Sequence, residues 1–203
     1  MAGPQRTPPT GSGRLERRKA RTRAAIVEAA ASLFHDQGYD ETSIQQIAEL
    51  ADVGVGTLYG YFLSKEDLLK EVLHQLTSRA IERYSATAST GAAAIDRICR
   101  GLATFAEYIR DNRSVMLATF QIVARDHQID AAPTKQLAGI LEAIIREGIA
   151  AGTLRPVPPA TTARLLVGTY MQSTLGIGVW FDGQPDPGIA GDLEAIVRGL
   201  LVA

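Results

Sequence analysis

Residues 42–67 read TSIQQIAELADVGVGTLYGYFLSKED, and this stretch decides the fold. Ser43 followed three residues later by Gln46 fits a capping box at a helix start. Ile44, Ile47, Ala48 and Ala51 then make a short apolar stripe. Asp52-Val53-Gly54 interrupts it after barely two turns. A second short helix is predicted from Val55 to about Phe62, with Leu58 and Phe62 four apart. Ser64 caps a third helix, and Glu66 and Asp67 sit in its first turn, where the helix dipole favours acids. That helix runs on through Leu68, Leu69, Val72, Leu73 and Leu76. Helices of two turns do not hold together alone in water. They must pack on a longer neighbour, here through Leu33, Phe34, Ile47, Val53, Leu58 and Phe62. Two readings fit this brevity. One is a helix-turn-helix whose second helix enters the DNA major groove. The other is an ordinary three-helix core fragment.

Upstream, Ala25, Ile26, Ala29, Ala30, Leu33 and Phe34 recur at helical spacing and predict the supporting helix, ended by Gly38. Residues 1–13 are rich in Pro, Gly, Ser and Thr and are expected to form a flexible tail. Residues 1–23 hold seven basic side chains (Arg6, Arg14, Arg17, Arg18, Lys19, Arg21, Arg23) against Glu16, a charge of +6. The whole chain carries −1, so the remainder carries −7. A basic arm at 14–23 on an acidic body suits a polyanionic partner; it also suits a solvated tail.

Downstream, Ser85 to Gly91 is small and polar, a joint between domains. Five more helical stretches are expected beyond it. Ile95, Ile98, Leu102, Phe105 and Ile109 mark one, and Met116, Phe120 and Val123 the next. A third carries Leu137, Ile140, Leu141, Ile144, Ile145 and Ile149. Residues 160–181 and a stripe of Leu193, Ile196, Val197 and Leu200 give the last two. No strand pattern or internal repeat is visible, so the fold is all-α. With 203 residues and 46% hydrophobic against 21% charged, the chain is no disordered polymer. One cysteine, Cys99, excludes an intrachain disulfide. No apolar core follows the basic N-terminus as in a signal peptide, and Leu165–Phe181, the longest uncharged run, is too short to span a bilayer. A cytoplasmic protein with no membrane contact is expected.

At Thr42-Ser43-Ile44-Gln45-Gln46-Ile47-Ala48 and Gly56-Thr57-Leu58-Tyr59-Gly60-Tyr61-Phe62-Leu63-Ser64-Lys65-Glu66 the chain resembles the DNA-binding domain of the TetR/AcrR family of transcriptional regulators. Leu33-Phe34 with Gly38-Tyr39 fits the same pattern, and residues 147–155 resemble, more weakly, a turn of the family's second domain. The resemblance implies a helix-turn-helix domain at 14–76 and a helical effector-binding and dimerisation domain at 77–203. It implies a homodimer on a palindromic double-stranded operator, released by a small-molecule effector. It also implies roles at the interface. Thr42 or Ser43 meets a phosphate; Gln45 points toward bases or backbone; Val55, Gly56 and Thr57 begin the recognition helix. Tyr59, Tyr61 and Lys65 fall at phosphate-contacting positions. Asp52 stands where the family often has glycine, and aspartate tolerates left-handed geometry better than most residues. Gly54 stands where a Ser or Thr usually caps the recognition helix, and it offers no hydroxyl to phosphate.

Residues 42–62 contain Glu49 and Asp52 but no Lys or Arg. The arginine–guanine contact is therefore not available from the helix-turn-helix. Gln45 could read adenine, and Val55 and Thr57 could touch thymine methyls, so an A·T-leaning half-site core is expected. Attraction to phosphate is expected from Arg17, Arg18, Lys19, Arg21, Arg23 and Lys65, and an arm arginine in the minor groove is the rival reading.

In the second domain Phe105, Tyr108, Met116, Phe120, Tyr170, Met171, Thr174 and Trp180 are candidates for an effector pocket; plain core explains the same spacing. Thr169, Gln172, Ser173 and Thr174 place polar groups in an apolar helix, which suits a cavity or a dimer interface. Helices near 160–181 and 189–202 are expected to form the dimer as a four-helix bundle. The three histidines show no metal-ligand spacing. Gly54, Gly56 and Gly60 miss the nucleotide-binding fingerprint, and no nucleophile elbow exists. Neither catalytic residues nor a cofactor or metal is expected. The leading expectation is a ligand-responsive repressor. The alternatives are an activator or co-repressor-dependent regulator, or a helical binding protein or enzyme with a vestigial helix-turn-helix.

Overall fold

A computed structural model describes residues 11–87, 91–125, 132–177 and 188–202. Its described elements are helices: α1 (Gly11–Asp36), α2 (Ile44–Leu50), α3 (Val55–Tyr59), α4 (Lys65–Thr87), α5 (Ala94–Asp111), α6 (Arg113–Arg125), α7 (Ala132–Ala150), α8 (Pro159–Leu175) and α9 (Ile189–Leu201). No described helix is long and apolar enough to cross a membrane. The chain divides into two units, residues 1–72 and 73–203, with the division inside α4.

In the first unit α2 and α3 are only seven and five residues long. Tertiary burial makes them stable. Ile47 and Leu58 are fully buried together with Ile26, Val27 and Phe34 of α1 and Leu68 and Leu69 of α4. Each such side chain contributes about 1.5–3 kcal/mol of apolar burial. Gly38 ends α1 with a φ of +88°, and Asp52 turns between α2 and α3 at φ +53°. Asp52 is the one described residue other than glycine with positive φ, so the turn survives without glycine. Gly54 begins α3 with its carbonyl alone, which accepts from Thr57 and Leu58 amides at 2.8 and 3.0 Å.

The second unit buries one apolar cluster built on Ile98, Leu102 and Ile109 of α5, Leu141 and Ile145 of α7, and Leu175 of α8. At the α7–α8 turn, Gly152 adopts φ +69° and the Thr153 and Leu154 amides close onto the Gly148 carbonyl. A side chain at Gly148 has no room, because a Cβ there would stand 2.5 Å from Leu154 Cδ1 and 2.8 Å from Ala94 Cβ. Beyond the turn the extended chain pairs with the C-terminus: Leu154 bridges Val202, and the Arg155 amide donates to the Leu201 carbonyl at 2.8 Å.

Three expectations are corrected. The first helix begins at Gly11, so residues 11–13 are helical, and the rest of the expected tail lies outside the described residues. The expected joint at 85–91 is entered by α4, which continues to Thr87. The expected helix over 160–181 stops at Leu175, because Gly176 takes a left-handed cap at φ +71°. Gly178 and Trp180 lie outside the described residues.

Candidate nucleic-acid interface

The capping box forms as read from the sequence. The Gln46 amide donates to Ser43 Oγ at 3.2 Å, and the Ser43 amide donates to Gln46 Oε1 at 2.8 Å. Ser43 and Gln45 stand exposed at the start of α2. On α3, Leu58 alone faces the core, while Val55, Gly56, Thr57 and Tyr59 are exposed. Tyr61, in the loop that follows, is half-buried. The segment from Ser43 to Tyr61 therefore presents seven of the expected contact residues on short elements fixed by local capping and by the buried Ile47, Ala48 and Leu58.

Two implied phosphate contacts are placed elsewhere. Thr42 is 1% exposed; its hydroxyl donates to the Gly38 carbonyl at 2.7 Å and accepts from Gln37 Nε2 at 3.2 Å. It fixes the α1–α2 turn from inside. Lys65 Nζ donates to the carbonyls of Tyr39 at 2.8 Å and Thr42 at 2.9 Å, with the Asp40 carbonyl at 3.5 Å. It also lies 4.2 Å from the Tyr39 ring centroid, a cation–π distance. An ammonium has three hydrogens to donate. Here they point at backbone, so Lys65 clamps the start of α4 to the turn ahead of α2. Burial raises the pKa of the Tyr39 hydroxyl beneath it, and the Glu66 carboxylate adds to the shift. Sequence spacing could not show this clamp, since its partners lie more than twenty residues upstream and are carbonyls any residue would offer.

The basic arm also resolves into distinct roles. Arg23 Nη1 donates to Glu71 Oε1 at 2.6 Å, and its guanidinium lies 5.2 Å from the Phe62 ring centroid. Its pKa is raised by the Glu71 bond. Arg23 thus ties α1 to α4 within the first unit rather than waiting for a ligand. Lys19 reaches Glu16 at 3.5 Å. Arg21 is exposed, as are Arg14, Arg17 and Arg18.

In the second unit, Phe105 and Tyr108 line a small cavity of about 20 Å³ with Thr77, Ala80, Ile81 and Tyr84 of α4, Thr104 of α5, and Leu137 of α7. Tyr108 is 5% exposed, and its hydroxyl lies 3.0 Å from Thr77 Oγ1. Burial pushes the Tyr108 hydroxyl up to about 12. Met116, Tyr170 and Thr174 are buried and Phe120 and Met171 half-buried, but none of the five is on this cavity's wall. Thr77 and Tyr84 were not singled out from sequence. The signal was present as Thr77, Ala80, Ile81 and Tyr84 at helical spacing, one face of α4.

Residues 26–72 match the family model described as bacterial regulatory proteins, tetR family. The fatty acid metabolism regulator protein of Bacillus subtilis is 24% identical over 182 residues, 86% of this chain and 93% of that protein. The transcriptional repressor KstR2 of Mycolicibacterium smegmatis is 28% identical over 143 residues, 68% of this chain and 69% of that protein. GusR of Salmonella enterica has the same fold, with a TM-score of 0.67 at 22% identity over 88% of this chain and 94% of that one.

Proposed function

The chain belongs to the TetR family of bacterial regulatory proteins, and on that premise we propose that it is a transcriptional repressor, dimeric on a palindromic operator and released by a small-molecule effector. The observation that carries the reading is the outward face of α3. One buried side chain, Leu58, seats the helix, and Val55, Gly56, Thr57 and Tyr59 are left in solvent. This is the disposition a recognition helix needs to reach base edges.

Gln45 pairs with adenine, and Val55 and Thr57 touch thymine methyls. With no basic residue from 42 to 62, the half-site core leans to A·T. Tyr59 and Tyr61 donate hydroxyls to phosphate and set the register, and Ser43, whose hydroxyl otherwise donates to Gln46 Oε1 at 2.9 Å, turns that donor to phosphate on binding. The exposed Leu165 of α8 and Ile196 and Leu200 of α9 support a two-fold apolar contact between those helices. Such a dimer spans two half-sites about 34–36 Å apart. Phe105, Tyr108, Met116, Phe120, Tyr170, Met171 and Thr174 of the second unit are the candidate effector contacts. The effector acts by favouring a dimer whose recognition helices no longer match successive grooves, with a coupling of about 1–3 kcal/mol. The repressor KstR2 among the relatives supports repression as the sign.

The test is binding to the DNA immediately upstream of the coding sequence against scrambled DNA, across a salt series. Specific binding lost in Thr57→Ala and Tyr59→Ala is the expected result. Equal weak binding to both DNAs with one common salt slope would overturn the reading.

A further inference from the structure

Resting on that DNA-binding reading, we infer that the N-terminal end of α1 is a second, rigid DNA-contacting element: a helical ridge of Arg14, Arg17, Arg18 and Arg21 that grips duplex phosphates beside the recognition helix. The sequence places a flexible tail at 1–13 and a basic arm at 14–23; the structure makes the whole of that arm part of one continuous helix from Gly11 to Asp36. The four arginines fall at i, i+3, i+4 and i+7, so they share an arc about 100° wide at 3.6 residues per turn. All four are exposed, and their side chains line one common concavity. Among the described residues none of the four is held in an ion pair, whereas Lys19 is paired with Glu16 and Arg23 with Glu71.

The ridge is fixed where it joins the body. Arg23, two residues beyond Arg21, is bound to Glu71 and lies over Phe62, which closes the turn after α3. From there the next turns of α1 bury Ile26, Val27 and Ala30 in the core. The ridge therefore leaves the first unit beside the end of the recognition helix, as an extension of a packed helix.

Charge selects the partner. The stretch 42–62 carries two acids and no base, and the Lys65 ammonium is engaged with backbone carbonyls. The helix-turn-helix as built cannot supply the cationic contacts that dominate affinity for duplex DNA. The ridge on the same unit can. Guanidiniums also grip phosphate through paired donors, and they stay charged at every working pH.

The experiment uses the full chain with Arg14, Arg17, Arg18 and Arg21 all changed to Gln, which preserves helix-forming residues at exposed positions. Affinity for the upstream DNA and for an unrelated duplex is measured across salt. The slope of log affinity against log salt is expected to become shallower by about 0.9 for each arginine that meets a phosphate, about 3.6 per protomer for all four. Arg146→Gln, on α7 of the second unit and paired with Glu142, leaves the slope unchanged. Ala20→Pro keeps the charge and breaks the helix at the base of the ridge; severalfold weaker binding is expected. An unchanged slope in the four-fold variant overturns the inference, as does wild-type binding by Ala20→Pro, which would mean a flexible arm. Binding of the wild type to anionic lipid vesicles with no change of DNA slope in the variant would also overturn it and make the ridge a membrane contact. Loss of discrimination between the two DNAs in the wild type would count against the repressor reading instead, since the ridge acts on any duplex.

Discussion

The first unit holds its proposed contacts outward and the second holds its own inward, and the two are built by different physics. Gln45, Thr57 and Tyr59 stand in solvent on helices of seven and five residues, oriented by a capping box and one left-handed aspartate. The Tyr108 and Thr77 hydroxyls meet at 3.0 Å beside a cavity of about 20 Å³ lined by α4, α5 and α7. Short-range chemistry positions the first set. Long-range packing positions the second. Variants in each unit should therefore fail in different ways.

The largest expected effect is in the second unit. Gly148→Ala sets a methyl against Leu154 and Ala94 at distances real side chains do not adopt, and Leu154 is itself pinned by its bridge to Val202. Overpacking of this kind costs about 3 kcal/mol. A thermal melt should show it as a clear fall in transition temperature, while Gly139→Ala, with open space around its Cβ, should not. Equal melts for the two variants would mean that the α7–α8 turn yields more easily than its packing implies.

Lys65→Met comes next, in the first unit. It removes the donor from the Tyr39 and Thr42 carbonyls and costs about 2 kcal/mol of stability, read as a lower urea midpoint. The salt slope of DNA binding should stay the same. If stability held and the slope fell by about 0.9 per protomer, Lys65 would be a phosphate contact and the clamp secondary.

These two residues also mark how far the sequence could be read. The capping box, the Asp52 turn and the apolar anchors of α2 and α3 are relations across three to five residues, and local rules recover them. Lys65 is different: its position follows the family pattern, but its partners are backbone carbonyls brought close by the α1–α2 turn. The same limit applies to Thr42, a polar residue that turns out 1% exposed. In the second unit helical periodicity located the stripes of α5 and α7. It could not say which aromatic side chains share a cavity, because that depends on the rotation of each helix against two others. Phe105 and Tyr108 share one; the other candidates do not lie on its wall. The end of α8 differs from the expected 160–181 for a simpler reason: Gly176, inside that stretch, acts as a left-handed cap.

Ser43→Ala is a smaller perturbation, confined to local chemistry. It removes one half of the capping box, worth about 1 kcal/mol at a typical N-cap. If Ser43 also donates to phosphate, the loss in DNA affinity should exceed the loss in stability. Matching losses would assign it to capping alone.

The smallest effect tests the inward side of the comparison. Tyr108→Phe keeps the ring and removes the hydroxyl. Thr77 Oγ1 keeps its bond to the Leu73 carbonyl at 2.9 Å, so no buried donor is stranded and the cost at neutral pH is about 1 kcal/mol or less. Alkaline pH separates the variant from the wild type. Burial holds the Tyr108 hydroxyl at about 12 in the folded chain, against about 10 when unfolded. The neutral form is the one folding favours. Its contribution is therefore whole below pH 10 and is lost as pH rises toward 12, by up to about 1.4 kcal/mol per unit. Tyr170, also pushed up to about 12 by burial, loses its contribution over the same window in both proteins. The fall in urea midpoint between pH 9 and pH 11 should thus be smaller in Tyr108→Phe than in the wild type. Equal falls would mean that water already reaches the Tyr108 hydroxyl. The cavity would then be open, and the second unit would hold its proposed contacts as the first does, at a surface.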